Sequence, residues 1–413
     1  MTRAALEQQA LDRLGSPDPG LPAPFVVVDG ARGLGKSSLL ERAAARLAAR
    51  GVIPVLADID RIGASPEELA RHLMLCVDRA ARLAGHDPFP AESGPGDLAR
   101  SLGAQLASAR PAAASLLEGA LSYPRAAAEH LSRPLVLVLD ELGEISCLSR
   151  HAGLRGLEGL VARALAGPAG TAVLASAAPA SRAGSLLRRC EEEAAAAGRP
   201  FVILPLAPWS HDEMAEFLRD RGGYRPAGGV VASWLRATGG RPLYAEILAR
   251  RCLGPGRTAG LTEALAAEMG AADGTLRREC RFDYHLLVER SRGKAVVRSI
   301  LSLVAGARRV NLTAVARHTR TSLPTATDYL RWMMEVGLLQ REGRTYRLAD
   351  PLLGMWLRLN GPEASDPLEE AVRLLEDAPG ASPDGPASSI LLPPASPSPP
   401  ARGRGGDFPM EID

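Results

Sequence analysis

The chain has 413 residues, which predicts two or three domains at roughly 100–200 residues each. Its formal net charge of +2 is too small to indicate a polyanionic partner by itself. The five cysteines are far apart and form no CxxC pair, which argues against a disulfide framework or zinc site and favours a reducing cytosol. No run of about 18 apolar residues and no signal-peptide core is present, so we expect a cytoplasmic protein without a membrane segment.

The first part of the chain alternates between segments typical of strands and segments typical of helices. A short helix is predicted within residues 1–20, before five unbroken apolar segments of strand length. Helical periodicity fills the intervals between these segments. Alternation of this kind predicts an α/β core, with a parallel five-stranded sheet, over residues 21–207. The five predicted strands are residues 25–29, 52–58, 135–139, 171–176 and 201–206.

Two further units follow the predicted core. Residues 208–288 have helical periodicity and predict a helical lid domain, which begins at the capping box Ser210-His211-Asp212-Glu213. Residues 289–360 predict three helices followed by a hairpin, which is the order of a winged helix-turn-helix. The helices are expected at residues 294–304, 312–318 and 324–336, and the hairpin strands at residues 338–341 and 344–348.

The last 53 residues, 361–413, differ in composition from the rest of the chain. Eleven of them are proline, and their formal charge is 3 Arg minus 10 Asp and Glu, or −7. Apart from a helix predicted at residues 368–375, we expect this tail to be disordered. Its acidic and apolar end, residues 407–413, fits a docking motif for a protein partner with a basic, apolar pocket. A solvated end without a partner is the alternative.

Residues 30–37 have the pattern G-x-x-x-x-G-K-[ST], the Walker A motif, and we call them the P-loop. They lie between a predicted strand and a predicted helix that starts at Ser38. In such a loop, backbone N–H groups surround the phosphates, Lys36 reaches the β- and γ-phosphates, and the Ser37 hydroxyl ligates Mg²⁺. The helix directs its positive N-terminal end at the same phosphates. The sequence therefore predicts a site for ATP and Mg²⁺. The expected nucleotide-binding residues are Gly30, Ala31, Arg32, Gly33, Leu34, Gly35, Lys36, Ser37 and Ser38.

The apolar strand at residues 135–139 leads into Asp140 and Glu141, a Walker B sequence. Asp140 is expected to hold Mg²⁺ through water, and Glu141 to polarise the attacking water. Ser176 ends the fourth predicted strand, where its hydroxyl contacts either the γ-phosphate or the backbone. Asp58 ends the second strand, and a structural role is favoured for it. The predicted catalytic residues are Lys36, Glu141 and Ser176, and the predicted metal ligands are Ser37 and Asp140.

An arginine finger, supplied by a second copy in a homo-oligomer, would complete such a site. Arg199 is a candidate because it precedes the fifth predicted strand. A solvated surface arginine is the favoured alternative for every candidate. The candidates are Arg182, Arg188, Arg189 and Arg199.

The sheet pattern, the two Walker motifs and the polar end of the fourth strand resemble those of AAA+ ATPases. Residues 204–213 are similar to the L-x-P-L-S-x-x-E-A turn of archaeal-type STAND ATPases, residues 238–244 to their G-G-x-P motif, and residues 346–356 to the end of their winged helix. This resemblance implies that Pro242 contacts the base or ribose and that Arg241 senses the phosphates. It also implies a nucleotide-dependent switch in which the helical and winged domains close over the nucleotide.

The predicted winged helix has a local excess of positive charge. Residues 291–360 contain 12 Lys and Arg against 4 Asp and Glu, a net charge of +8, which is typical of nucleic-acid binders. A packing face on the third helix (Leu330, Trp332, Met333 and Met334) favours a structural role instead. The residues expected to contribute to duplex DNA binding are Arg317, Arg320, Arg331, Arg341, Arg344 and Arg347, with Thr325, Thr327 and Asp328 at the major groove.

Three hypotheses therefore remain open. The first is a STAND-like ATPase switch that acts on a protein partner. The second is a DNA-binding AAA+ ATPase similar to archaeal origin-recognition initiators. The third is a nucleotide-binding regulator with little turnover.

Overall fold

The computed structural model describes most of the chain up to residue 376. Within the described part, no helix is long and apolar enough to cross a membrane. The predicted end of the tail, residues 407–413, lies outside the described residues, as does Arg182. The described residues are 2–15, 22–59, 65–87, 89–151, 153–168, 170–178, 183–223, 225–253, 260–291, 293–361 and 365–376.

A five-stranded parallel sheet forms the centre of the first part of the chain, which confirms the predicted α/β core. The strands are β1 Phe25–Asp29, β2 Ile53–Asp58, β3 Leu135–Asp140, β4 Ala172–Ala177 and β5 Phe201–Pro205. Their order is β2-β3-β4-β1-β5, so β1, which precedes the P-loop, lies between β4 and β5. The register places Asp58 beside Asp140 at the carboxyl ends of their strands, and Ser176 beside Val28.

Helices cover both faces of this sheet. The helices of this part are α1 Arg3–Leu14, α2 Lys36–Ala49, α3 Pro66–Leu83, α4 Gly94–Ala107, α5 Ala113–Leu131, α6 Leu157–Ala166 and α7 Ala183–Ala196. Helix α2 packs on one face of the sheet, and helices α3, α5, α6 and α7 pack on the other. A 3₁₀ segment, Leu142–Arg150, follows β3 directly.

The predicted N-terminal helix is packed against the P-loop helix. Leu6 and Leu11 of α1 share an apolar cluster with Leu39 of α2. The carboxylate of Glu7 is 6% exposed and pairs with Arg42 at 2.9 Å, and with a second arginine of α2. Because α1 buries one apolar face and one charge against α2, it packs as part of the α/β core in the structure.

A second set of helices follows β5. We call residues 211–290 the lid and residues 294–361 the hairpin unit. One apolar cluster includes residues of both, from Met214 to Trp356. The lid consists of α8 His211–Gly222, α9 Gly228–Thr238, α10 Pro242–Cys252, α11 Leu261–Gly270 and α12 Thr275–Arg290.

The hairpin unit contains three helices, a two-stranded hairpin and a final helix. A short strand pairs antiparallel with the second hairpin strand and forms a three-stranded sheet. The first part of the tail is helical and buries Glu370 and Ala371. The elements are α13 Lys294–Ala307, β6 Val310–Asn311, α14 Leu312–Thr319, α15 Leu323–Glu335, β7 Leu339–Glu342, β8 Thr345–Leu348, α16 Pro351–Leu359, and α17 Pro367–Glu376.

Arg199 is a buried structural residue, so both predictions for it, the arginine finger and the favoured solvated surface arginine, were wrong. The residue is 5% exposed, and burial lowers its pKa to about 10, which leaves it charged at neutral pH. Its guanidinium donates to four backbone carbonyls next to β1 and β4, at 2.6–2.9 Å. These acceptors are the carbonyls of Ala23, Leu165, Gly167 and Thr171. A side chain held in this way cannot reach a neighbouring copy.

Replacing Arg199 with Ala should lower the free energy of unfolding by about 2–4 kcal/mol, because four carbonyls lose their donor in a buried position. Arg189→Ala is the matched control, since the Arg189 side chain is 56% exposed and its effect should stay within about 0.5 kcal/mol. Urea denaturation of the full chain measures both values. Equal values for the two variants would contradict the structural role of Arg199.

Candidate functional site

The loop between β1 and α2 has the backbone geometry of a phosphate cradle. Gly33 and Gly35 adopt left-handed conformations, with φ of 80° and 86°, which favour glycine. A Cβ at Gly30 would lie 2.9 Å from the Leu206 carbonyl, so a side chain does not fit there. Helix α2 begins at Lys36 without a side-chain cap, which leaves its first N–H groups directed at the loop. This arrangement fits an anion at the helix N-terminus.

Lys36 and Glu141 form an ion pair at the carboxyl edge of the sheet. Lys36 is 4% exposed, and its Nζ lies 3.0 Å from Glu141 Oε1. Burial raises the pKa of Glu141, and the charge of Lys36 opposes that rise. Glu141 also has a positive φ of 53°, a conformation that non-glycine residues rarely adopt. The structure therefore brings two predicted catalytic residues into contact.

Ser176 connects the ends of β3 and β4. Its hydroxyl donates to Asp140 Oδ1 and accepts from the Glu141 N–H at 2.9 Å. The same N–H lies 3.1 Å from Asp140 Oδ1. The hydroxyl thus contacts both a carboxylate and the backbone, and it fixes the Walker B pair. Ser37 and Ser38 lie on the first turn of α2, where Ser38 is exposed.

The lid touches the P-loop through the first turn of α10. The Leu243 N–H donates to the Gly33 carbonyl at 3.2 Å, and Pro242 Cγ lies 3.9 Å from the position of a Cβ on Gly35. Arg241 Nη1 donates to the Arg32 carbonyl at 3.3 Å. The lid residues that the family resemblance indicates therefore lie directly on the predicted nucleotide loop.

Three carboxylates around the P-loop arginine and Arg241 were not predicted. Glu279 and Asp283 of α12 pair with Arg32 Nη1 at 2.6 and 3.0 Å. Asp350, which precedes α16, pairs with Arg241 Nη1 at 3.1 Å. Glu279 and Asp283 lie 247 and 251 residues from Arg32 in sequence, so no local pattern signals the contact. Asp350 lies within a segment that resembles the STAND family, but the resemblance implies no role for it.

Burial and charge act in opposite directions in this network. Burial opposes the charging of Arg241, but Asp350, Tyr244 and Asp283 together outweigh it and raise the pKa of the guanidinium. Burial raises the pKa of Asp283, and Arg32 opposes that rise. Burial also raises the pKa of Tyr244, whose hydroxyl donates to Asp350 Oδ2 at 2.8 Å. Arg32 and Arg241 therefore help the Asp283 carboxylate to stay ionised.

A pocket lies between the carboxyl edge of the sheet and the inner side of the lid. Arg32, Glu141 and Glu144 line it from the core, and Arg241 and Asp283 line it from the lid. Apolar residues of α12 and α16, including Phe282, Leu286 and Leu353, complete the wall. Glu141 and Arg241 thus line the same pocket. Within the described residues, no three or more His, Cys, Asp or Glu side chains lie close enough together to hold a metal ion.

Comparison with known proteins supports the same fold. Residues 2–166 match the family described as "AAA ATPase domain". No curated protein matches the sequence. Among solved structures, the Walker-type ATPase PABY2304 of Pyrococcus abyssi has 17% identity and a TM-score of 0.62, and the match covers 86% of this chain and 95% of that one.

Two archaeal ORC structures also match, with lower scores. The ORC2 protein of Aeropyrum pernix, in its ADPNP–ADP complexes, has 16% identity and a TM-score of 0.49, covering 90% of this chain and 92% of that one. The ORC1 protein of Aeropyrum pernix in complex with DNA has 15% identity and a TM-score of 0.41, covering 87% and 92%. The chain therefore shares the fold of PABY2304, and its residues 2–166 resemble an AAA ATPase domain.

Replacing Ser176 with Ala should lower the rate of ATP hydrolysis about 10–100-fold, because the Asp140 carboxylate and the Glu141 backbone lose the group that orients them. The affinity for ATP should change by less than about threefold. Ser233→Ala removes a hydroxyl that is also buried but bonds the Gly229 carbonyl of α9, and it should leave the rate unchanged. Wild-type turnover in the Ser176 variant would show that this hydroxyl does not position the carboxylates.

Proposed function

We propose that the chain binds ATP with Mg²⁺ at the P-loop, hydrolyses it, and acts as a STAND-type switch on a protein partner. The observation that carries the proposal is the contact of Lys36 with Glu141 beside the Ser176–Asp140 pair, at the uncapped start of α2. A buried lysine, two carboxylates and a helix N-terminus are the groups that phosphoryl transfer requires.

Each part of the loop has a distinct role in this proposal. The backbone from Gly30 to Gly35 holds the phosphates, with Ala31, Arg32 and Leu34 contributing N–H groups only. Lys36 binds the β- and γ-phosphates, and Ser38 extends the helix N-terminus. Ser37 and Asp140 would hold Mg²⁺, which neutralises charge that develops on the phosphates during transfer.

Through its ion pair with Lys36, the base strength of the Glu141 carboxylate depends on phosphate binding. Burial already raises the pKa of Glu141, and Lys36 limits that rise. When Lys36 turns to the phosphates, Glu141 loses this counter-charge and becomes a stronger base. Glu141 then accepts the proton of the attacking water, next to the position where the γ-phosphate binds.

The lid and the hairpin unit supply the mechanical part of the switch. Helix α10 lies on the P-loop, and one apolar cluster includes α10 and the hairpin unit. A shift of α10 on nucleotide binding would therefore be transmitted through packed side chains. We propose that a protein partner detects this shift, and that the acidic end of the tail, residues 407–413, is its docking motif.

Lys36→Ala should abolish ATP binding, because the variant lacks the buried cation of the phosphate site. Glu141→Gln should bind ATP within about threefold of wild type and hydrolyse it at least about 100-fold more slowly. Isothermal titration calorimetry and phosphate release measure the two effects. Undiminished binding by the Lys36 variant would remove the P-loop proposal. Binding by the wild type without turnover would instead favour a regulator that only binds nucleotide.

A second function, duplex DNA binding, is supported by the exposed surface of the hairpin unit. We interpret α14, α15 and the hairpin as a winged helix. Helix α15 buries Leu330 and Met333 but exposes Thr325 and Arg331, so its packing face and its outer face are separate. Further arginines lie on α14, at its C-cap and on the hairpin: Arg317, Arg320, Arg341 and Arg344.

If this surface binds DNA, replacing Arg320, Arg331 and Arg344 together with Ala should weaken binding to a duplex of random sequence. The slope of log affinity against log salt should fall by about 1 for each phosphate that the variant no longer binds. A control variant carries the same change at three exposed arginines elsewhere, Arg125, Arg219 and Arg373. Fluorescence anisotropy over a salt series measures the slope. No binding by the wild type at low salt would eliminate this second function.

A further inference from the structure

Asp350 is held at a point where the hairpin unit meets the lid. The residue is 3% exposed. Its Oδ1 accepts from the N–H groups of Leu352 and Leu353 at 2.9 and 3.2 Å and so caps α16. Its Oδ2 accepts from the Tyr244 hydroxyl of α10 and pairs with Arg241. One carboxylate therefore fixes the start of α16 to the start of α10.

The residue after Asp350 also packs closely against the glycine turn that precedes α10. Gly239 has a φ of 60°, and a Cβ on it would lie 2.9 Å from Pro351 Cδ. Gly240 has a φ of 71° and its carbonyl accepts from the Trp209 N–H. The segment that lies on the P-loop is thus in close contact with the first residue of α16. Movement of that segment cannot leave α16 unaffected.

Arg241 is the cation for which two anions would compete. Its Nη1 contacts Asp350 Oδ2 at 3.1 Å and the Arg32 carbonyl of the P-loop at 3.3 Å. Its side chain also lines the pocket that Glu141 lines. A terminal phosphate next to Glu141 would therefore enter the same pocket as the Arg241 guanidinium. A guanidinium forms its strongest bonds with carboxylates and phosphates.

We propose that Asp350 competes with the terminal phosphate of ATP for Arg241, so that ATP weakens the attachment of α16 and the hairpin unit, and ADP preserves it. This inference rests on the proposed ATP site, and it names Asp350 as the residue through which the bound nucleotide affects the hairpin unit. Asp350 is a positioning residue, because it acts through Arg241 and does not touch the reacting atoms.

The competition has a reciprocal consequence. If ATP weakens the Arg241–Asp350 pair, then weakening that pair by mutation must favour ATP over ADP by the same factor. Asp350→Asn removes the charge but keeps one oxygen that can cap α16, and its NH2 group, in the place of Oδ2, can donate to the Tyr244 hydroxyl. The variant should therefore raise the ratio of triphosphate to diphosphate affinity about tenfold, within the range typical of coupling between two sites.

The experiment compares affinities of the full chain for ATPγS and ADP, both with Mg²⁺, by isothermal titration calorimetry. Asp350→Asn is tested against Glu370→Gln, which breaks a buried ion pair with Arg358 at the opposite end of α16. The control should leave the affinity ratio as in the wild type. Hydrogen exchange of α16 and of the hairpin (β7 and β8) in the wild type is measured in parallel, and it should be faster with ATPγS than with ADP.

The outcomes separate this inference from the proposed function. A raised ratio in Asp350→Asn only, with nucleotide-dependent exchange in the wild type, supports the competition. If the wild type binds both nucleotides but the ratio is unchanged or lower in this variant, the competition is wrong and the ATP site remains. If that variant does not fold, equal exchange of α16 with ATPγS and ADP in the wild type overturns the inference. If the wild type binds neither nucleotide, the proposed function itself fails.

Discussion

A buried guanidinium must keep partners that compensate its charge, either hydrogen-bond acceptors or anions, because an isolated charge in a protein interior costs several kcal/mol. Arg241 meets this constraint where the P-loop, the lid and the hairpin unit come together. It is paired with Asp350 and lies 3.8 Å from a carboxylate oxygen of Asp283, which in turn pairs with Arg32 of the P-loop. Any anion that enters this space must replace one of these partners. The position of the lid and the chemistry at the loop are therefore linked by charge.

The sheet provides the fixed side of this arrangement. Because β3 and β4 are parallel, their carboxyl ends lie next to each other at one edge of the sheet. There, Ser176 of β4 forms hydrogen bonds with Asp140 and Glu141 at the end of β3. Arg199 fastens the opposite end of the sheet through four carbonyls. The lid, in contrast, contacts the P-loop through a few hydrogen bonds and ion pairs. A rigid core and a lid held mainly by polar contacts form the kind of pair that a ligand can shift.

Much of the fold was predictable from the sequence. The five strands follow from unbroken apolar runs, and the P-loop from glycines that the backbone requires at Gly33 and Gly35. The contacts of Asp283 and Asp350 were not predictable, since ion pairs between residues far apart in the chain leave no periodic pattern. Arg199 was misjudged because its position before β5 does not reveal the direction of its side chain. The role of Asp350 needed the placement of α16 against α10.

If Asp350 competes for Arg241, it affects nucleotide preference only through this guanidinium. A double-mutant cycle measures that dependence, with the ratio of ATPγS to ADP affinity as the measured quantity. In the Arg241→Gln background, adding Asp350→Asn should leave this ratio unchanged, although it raises the ratio in the wild-type background. An equal rise in both backgrounds would contradict the account, since Asp350 would then act without the guanidinium.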